Sequence, residues 1–184
     1  MSLYPDLPAP ADKTLGLGRI HVCFGPGVGK TSRAVGLAVR AAGAGLKAHF
    51  VQFMKSGDSS EVKILQNLSG VNYHCPGPVP FIHGPDPQPV HFEHAEKAWR
   101  FAQEAASTAD VLICDEILNA VFFGLIARDR VLELMASCRN RVELMLTGSD
   151  APPEIVEASD YATEFIQRKH PYYQGVGARL GIEY

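Results

Sequence analysis

The sequence predicts a three-layer α/β domain built on a mainly parallel central sheet. Three observations carry this. Short β-rich runs alternate with helical stretches along the whole chain, the pattern of repeated βαβ units. One of those runs, Ala109–Cys114 (ADVLIC), is almost wholly apolar, as expected of a strand covered on both faces. The composition is that of an ordinary globular chain, with 46% hydrophobic and 20% charged residues over 184 positions.

Residues 1–18 read as a polar, proline-bearing arm without an apolar signal segment, and 19–184 as a single domain. Arg19–Phe24 (RIHVCF) is the first expected strand. A glycine-rich turn follows, then a helix over Lys30–Ala42, where Ala34, Leu37, Ala38 and Ala41 fall on one face. Gly43 and Gly45 supply its stop. Ala48–Phe53 is a strand, Glu61–Leu68 a short helix and Val71–His74 a strand. The proline-rich segment 75–89 is an irregular loop, long enough to suggest function. Phe92–Ser107 is a helix with Ala95, Ala98, Trp99, Ala102 and Ala106 on its core face. Beyond ADVLIC come helices at Ile117–Leu125 and Arg130–Cys138 and a strand at Val142–Thr147. A short helix at Pro153–Ala158 and a last strand at Tyr161–Ile166 complete the series. From Arg168 the tail has no helical period.

Charge and cysteine usage exclude several classes. Seventeen basic against twenty acidic side chains give a net charge of −3, a poor match to a protein living on nucleic-acid phosphates. No apolar run is long enough for a membrane span, because Arg40 interrupts the longest candidate. Cys23, Cys75, Cys114 and Cys138 show no CxxC spacing, which points to a reducing, cytoplasmic setting. His74, His83, His91 and His94 lie close to Cys75, but their spacing fits no zinc pattern, so solvated loop histidines are expected.

The chemistry-bearing segment is Gly25-Pro26-Gly27-Val28-Gly29-Lys30-Thr31-Ser32, set between a strand and a helix. Glycines let such a loop curl several amides toward one anion, and the helix N-terminus adds partial positive charge. That field is worth about 0.3–2 kcal/mol, short of the roughly 4 kcal/mol that even millimolar binding needs. A point charge and a metal are therefore required. Lys30 is placed to reach phosphate oxygens and Thr31 to offer a hydroxyl to Mg²⁺. Asp115 and Glu116 close the ADVLIC strand, where a P-loop fold holds its metal. The alternative for the acidic pair is a helix cap before Ile117.

With those motifs in hand, residues 19–184 resemble the P-loop ATP:corrinoid adenosyltransferases. The match runs through the shortened GxGxGKT loop at Gly25–Thr31 and the RAxGxG segment at Arg40–Gly45. It continues through VQFxK at Val51–Lys55 with Glu61 beyond, and through Asp115-Glu116 and Thr147-Gly148. It ends with Ser159–Glu164, Lys169-His170-Pro171 and the GxxAxxGIEY-like ending at Gly175–Tyr184. The resemblance implies a P-loop NTPase-like (RecA-like) fold and transfer of the 5′-deoxyadenosyl group of ATP to the cobalt(I) of a reduced corrinoid, with triphosphate released.

It implies catalytic roles for Lys30, Thr31 and Glu116. Mg²⁺ would sit on Thr31, Asp115 and Glu116. ATP would be held by Gly25, Gly27, Val28, Gly29, Lys30, Thr31 and Ser32, with Arg40, Lys55 and Lys169 as further cations, and the corrinoid by Phe81 and His83. A homodimer and a reductase supplying the electron are also implied, and the tail is expected to be ordered. The chain departs from the family at Pro26 and Val28, where asparagine and lysine are usual. It departs again at Ser149, where arginine is usual, and at Phe81-Ile82-His83, where a Phe-x-Trp pair can occur. A non-catalytic ATP or corrinoid binder, and a different P-loop kinase or ATPase, stand as the alternatives.

Overall fold

The computed structural model describes residues 16–82 and 86–184; most of the expected N-terminal arm, and His83, lie outside them. Six strands form one sheet: β1 (Ile20–Phe24), β2 (Ala48–Gln52), β3 (Val71–His74), β4 (Val111–Asp115), β5 (Glu143–Thr147) and β6 (Tyr161–Glu164). Their order is β3-β2-β4-β5-β1-β6, and every pairing is parallel. Helices α1 (Lys30–Gly43), α2 (Ser60–Leu65), α3 (Pro89–Ala106), α4 (Ile117–Phe122), α5 (Arg128–Cys138) and α6 (Pro153–Glu157) connect the strands. This is a RecA-like three-layer arrangement, with β5 inserted between the loop strand β1 and the acidic strand β4.

Strand residues alternate between two cores. Val22, Val51, Leu112, Cys114, Leu144 and Leu146 face the layer of α3, α4 and α5, against Ala95, Ala98, Trp99, Ala102, Ile117 and Met135. Cys23, Phe50, Ile113 and Met145 face α1 through Ala34, Ala38 and Ala41. The small residues on α1 and α3 let both helices lie close to the sheet. Each fully buried side chain such as Phe50 contributes about 1.5–3 kcal/mol. Trp99 is part of this core, and Arg130 stacks its guanidinium 4.6 Å from the Trp99 ring centre.

Register fixes where the chemistry lies. Gln52 pairs with Asp115 and Cys23 with Thr147, so the ends of four neighbouring strands form one carboxyl-terminal edge. In an open parallel sheet, that edge is where ligands bind.

Several elements differ from their sequence expectation. Helix α3 begins at Pro89, three residues early, because Gln88 caps it: the Gln88 N–H donates to His91 Nδ1 over 2.8 Å and proline stands in the first turn. His91 and His94 are buried rather than solvated. His91 Nε2 lies 3.1 Å from the Pro80 carbonyl and His94 Nε2 2.9 Å from that of Gly77, so both rings tie the proline-rich loop to α3. Strand β6 stops at Glu164, because the carbonyl of Phe165 turns to accept from Gly27 N–H at 2.7 Å. The tail contains one 3-10 turn (Pro171–Gln174), runs back past the loop and ends at the start of α2, where Ser60 Oγ donates to the Tyr184 carbonyl at 2.9 Å. No helix among the described residues is long and apolar enough to cross a membrane.

Candidate active site

The loop between β1 and α1 is shaped by its contacts with the neighbouring strand ends. Gly25 adopts φ 105°, and a Cβ there would stand 2.6 Å from the Phe165 carbonyl oxygen. A Cβ on Gly27 would stand 2.7 Å from the same atom. Both amides are used inside the protein: Gly25 N–H donates to Ser149 O at 3.1 Å and Gly27 N–H to Phe165 O. These two glycines therefore shape the loop, and in this structure their amides are taken by Ser149 and Phe165. The amides of Val28, Gly29, Lys30, Thr31 and Ser32 have no acceptor among the described residues, and they form an open cradle of donors at the start of α1, a setting that suits an anion. Pro26, lacking an N–H, takes nothing from that cradle. The Val28 side chain points outward, 68% exposed.

Lys30 folds back over the loop, its Nζ donating to the carbonyls of Gly25 and Gly27 at 2.7 Å each. Burial holds its ammonium below the usual lysine range, although Glu116 and Asp115 pull the other way.

Asp115, fully buried, is the hub of the site. Thr147 Oγ1 donates to it at 2.8 Å, Thr31 Oγ1 at 3.1 Å and Lys55 Nζ at 3.0 Å, with Gln52 Nε2 at 3.5 Å. Lys55 also donates to Thr31 Oγ1 at 3.1 Å. Burial opposes the charge on Lys55, but Asp115 and Glu116 outweigh it and hold the ammonium above its usual range. Glu116 adopts φ 64°, unusual for a residue other than glycine, and its N–H donates to Thr147 Oγ1 at 2.9 Å. Strain of this kind is about 1–3 kcal/mol and concentrates at functional positions. Asn119 donates its amide to the Glu116 carboxylate and accepts from Ser149 N–H at 2.7 Å. Burial and the neighbouring Asp115 push the Glu116 carboxyl up. The helix-cap alternative for the acidic pair is not realised, because neither side chain caps α4.

Thr31, Asp115 and Glu116 offer a hydroxyl and two carboxylates, the hard oxygen donors that Mg²⁺ prefers. Two of them already hold a cation, the Lys55 ammonium, so the donor set fits a metal ion.

Two hollows meet here. A basin of about 640 Å³ lies over the loop, walled by the Val28–Ser32 segment and by the charged Lys169, Arg179 and Glu183 of the tail. A more apolar cavity of about 280 Å³ lies beside it, lined by Met54, Val79, Phe81, Ile82, Phe123 and Leu125 among others. Lys55 and Glu116 belong to both walls.

The expected residues thus divide. The Gly27–Ser32 loop segment, Lys55, Lys169 and Glu116 line the basin, Asp115 lies buried behind Lys55 and Thr31, Phe81 lines the apolar cavity, and His83 is outside the described residues. Arg40 does not join them. It is exposed on the last turn of α1, ten residues beyond Lys30, and a helix rises about 15 Å over that distance. Gln52, Thr147, Asn119, Arg179 and Glu183 join the site beyond the residues that the sequence motifs single out for it. Position at a strand's carboxyl end was the available signal for Gln52 and Thr147, whereas no spacing rule brings the tail over the loop. Arg179 is paired with Glu183 at 2.8 Å on the basin wall, and that pair holds the Glu183 carboxyl at about 2.

A family model described as ATP:corrinoid adenosyltransferase BtuR/CobO/CobP matches residues 17–184. A corrinoid adenosyltransferase of Pseudomonas aeruginosa is 32% identical over 171 residues, covering 91% of this chain and 84% of that protein. A corrinoid adenosyltransferase of Escherichia coli K12 is 28% identical over 169 residues, covering 91% and 86%. Among solved structures, the replication initiator DnaA bound to AMPPCP and single-stranded DNA is similar at 13% identity and a TM-score of 0.42. It shares 83% of this chain, which spans 42% of that one.

Proposed function

The chain belongs to the ATP:corrinoid adenosyltransferase family, and from that premise we propose that the basin with charged walls takes the triphosphate of ATP and the apolar cavity takes the corrinoid. The protein is an ATP:corrinoid adenosyltransferase, transferring the 5′-deoxyadenosyl group of ATP to the cobalt(I) of a corrinoid with release of triphosphate. The observation that supports the arrangement is the meeting of the two hollows at Lys55 and Glu116.

The electron pair of cobalt(I) forms the bond to C5′, the C5′–O5′ bond breaks, and its electron pair leaves on the triphosphate. Catalysis therefore requires positive charge on the departing oxygens and no activated water. The free amides of Val28–Ser32 receive the phosphate, Lys30 exchanges its loop carbonyls for phosphate oxygens, and Lys169 and Arg179 face the same anion from the tail. A single well-placed donor of this kind contributes about 10²–10³ in rate. Mg²⁺ held by Thr31, Asp115 and Glu116 would supply further charge neutralisation on the triphosphate. Glu116 serves as a ligand rather than a base, since no proton has to be removed. Phe81 and Ile82 present apolar surface to the corrinoid, and His83 belongs to the same loop.

We further place the enzyme in the cytoplasm, in keeping with four free cysteines, with a reductase supplying the electron. A homodimer is supported by the exposed Tyr172, Tyr173, Leu180 and Ile182 of the tail. Residues 19–184 are taken as one catalytic domain.

Anaerobic turnover with cob(I)alamin tests the arrangement. Val79→Trp, at the apolar cavity, is expected to raise the corrinoid KM and leave the ATP KM unchanged. Arg179→Ala is expected to do the reverse. An ATP KM raised by Val79→Trp alone would refute this assignment of the two hollows.

A further inference from the structure

We propose that Lys55 is the cation that fills the metal site of the free enzyme, and that it gives way only when metal and nucleotide arrive together. This rests on the reading that Thr31, Asp115 and Glu116 hold the metal. Lys55 Nζ stands 3.0 Å from Asp115 Oδ2 and 3.1 Å from Thr31 Oγ1, so two of the three proposed ligands already share one positive charge. Asp115 is fully buried, and a buried carboxylate requires such a counter-charge.

The ammonium is built to move while its backbone stays fixed. Cys75 Sγ donates to the Lys55 carbonyl at 3.3 Å, and Met54 before it turns the chain at φ 53°. The Lys55 side chain is 27% exposed and lies on the wall of both hollows. A Mg²⁺ ion needs its oxygens at about 2.0–2.1 Å, inside the separation an ammonium keeps, and the two cations repel strongly at that range.

Without nucleotide, a displaced Lys55 would lose Asp115 and gain only water or Glu116. With triphosphate in the basin it gains phosphate oxygens on the same wall. Metal entry is therefore unfavourable alone and favourable with ATP, and by linkage the metal must raise ATP affinity by the same factor.

Mn²⁺ binding by the full chain, read from the paramagnetic resonance of the free ion, tests this. Wild type is expected to bind Mn²⁺ at least tenfold more tightly with a non-reacting ATP analogue than without it. Nucleotide-free Lys55→Met is expected to bind Mn²⁺ at least tenfold more tightly than nucleotide-free wild type, with the analogue's enhancement correspondingly reduced. An unchanged Mn²⁺ affinity in Lys55→Met overturns the proposal. Failure of wild type to bind Mn²⁺ even with the analogue overturns the metal-site reading beneath it. Because Lys55→Met strips Asp115 of its partner, Lys55→Gln is run beside it and thermal unfolding is followed against MgCl₂. Either variant should gain Tm from Mg²⁺ alone where wild type gains none; no gain in both contradicts the proposal.

Discussion

Gly27→Ala separates the shape of the loop from its chemistry. A Cβ on Gly27 would lie 2.7 Å from the Phe165 oxygen and 2.8 Å from its carbonyl carbon. An ordinary contact is near 3.4 Å, so the loop and the end of β6 must part by about 0.7 Å. That movement stretches the bond from Gly27 N–H to Phe165 O and forfeits most of the about 1 kcal/mol it contributes. Overpacking adds about 1–3 kcal/mol. The total, about 2–4 kcal/mol, corresponds to roughly 5–15 °C in Tm for a chain of this size. The amides of Val28–Ser32 follow directly and move with the loop, and a displacement approaching 1 Å costs about 10²-fold in rate. The control is Gly36→Ala, inside α1 (the helix that the loop leads into), where a Cβ meets nothing within 4 Å. Alanine there should raise stability by about 0.5–1 kcal/mol, the ordinary helix preference, without affecting turnover. Calorimetry and single-turnover adenosylation on both variants are the assays. If Gly27→Ala melts and turns over like Gly36→Ala, the close approach to Phe165 is not what shapes the cradle.

Other substitutions have separate expected signatures. Lys30→Met should lower single-turnover rate by about 10²–10³, with some loss of Tm because it leaves the buried Gly25 and Gly27 carbonyls without their donor; a rate within threefold of wild type would refute its role at the triphosphate. Thr147→Val removes the hydroxyl that joins Asp115 to Glu116 N–H, and calorimetry should show a loss of about 1–3 kcal/mol. His49 carries a pH signature. Burial, with His74 and Lys47 adding to it, lowers its pKa to about 4. Between pH 6.5 and 4 the unfolded chain takes up a proton that the folded chain refuses, so stability falls as pH falls across that window, by about 1–2 kcal/mol at pH 5. His49→Gln should flatten the change in Tm between pH 7 and 5, and an unchanged slope would assign the acid sensitivity elsewhere.

The strands and the cradle were legible because local rules govern them. ADVLIC is a buried parallel strand wherever it is placed, and the alanine face of α1 can serve only a close helix–sheet contact. What the sequence left hidden depended on long-range geometry. The start of α3 escaped because its cap is Gln88 with His91, outside the usual Ser, Thr, Asp and Asn signals. Arg40 resembled a site residue by motif, yet the length of α1 carries it away from the loop. Gly25 and Gly27 read as ligand-binding amides, whereas their partners, Ser149 and Phe165, lie far along the chain. Lys55 was legible as a cation near phosphate; only the register of β2 with β4 puts it on Asp115. Arg179 and Glu183 reach the basin because the tail doubles back, which no periodicity announces.

In the proposed reaction C5′ of ATP, and not a phosphorus atom, is the reacting centre. ATP carrying ¹³C at C5′, incubated anaerobically with Mg²⁺ and chemically reduced cob(I)alamin, tests it in one spectrum. The label is expected on carbon bonded to cobalt, with one triphosphate released for each labelled product. Label retained on a nucleoside phosphate, with ADP or orthophosphate as the product, would contradict it.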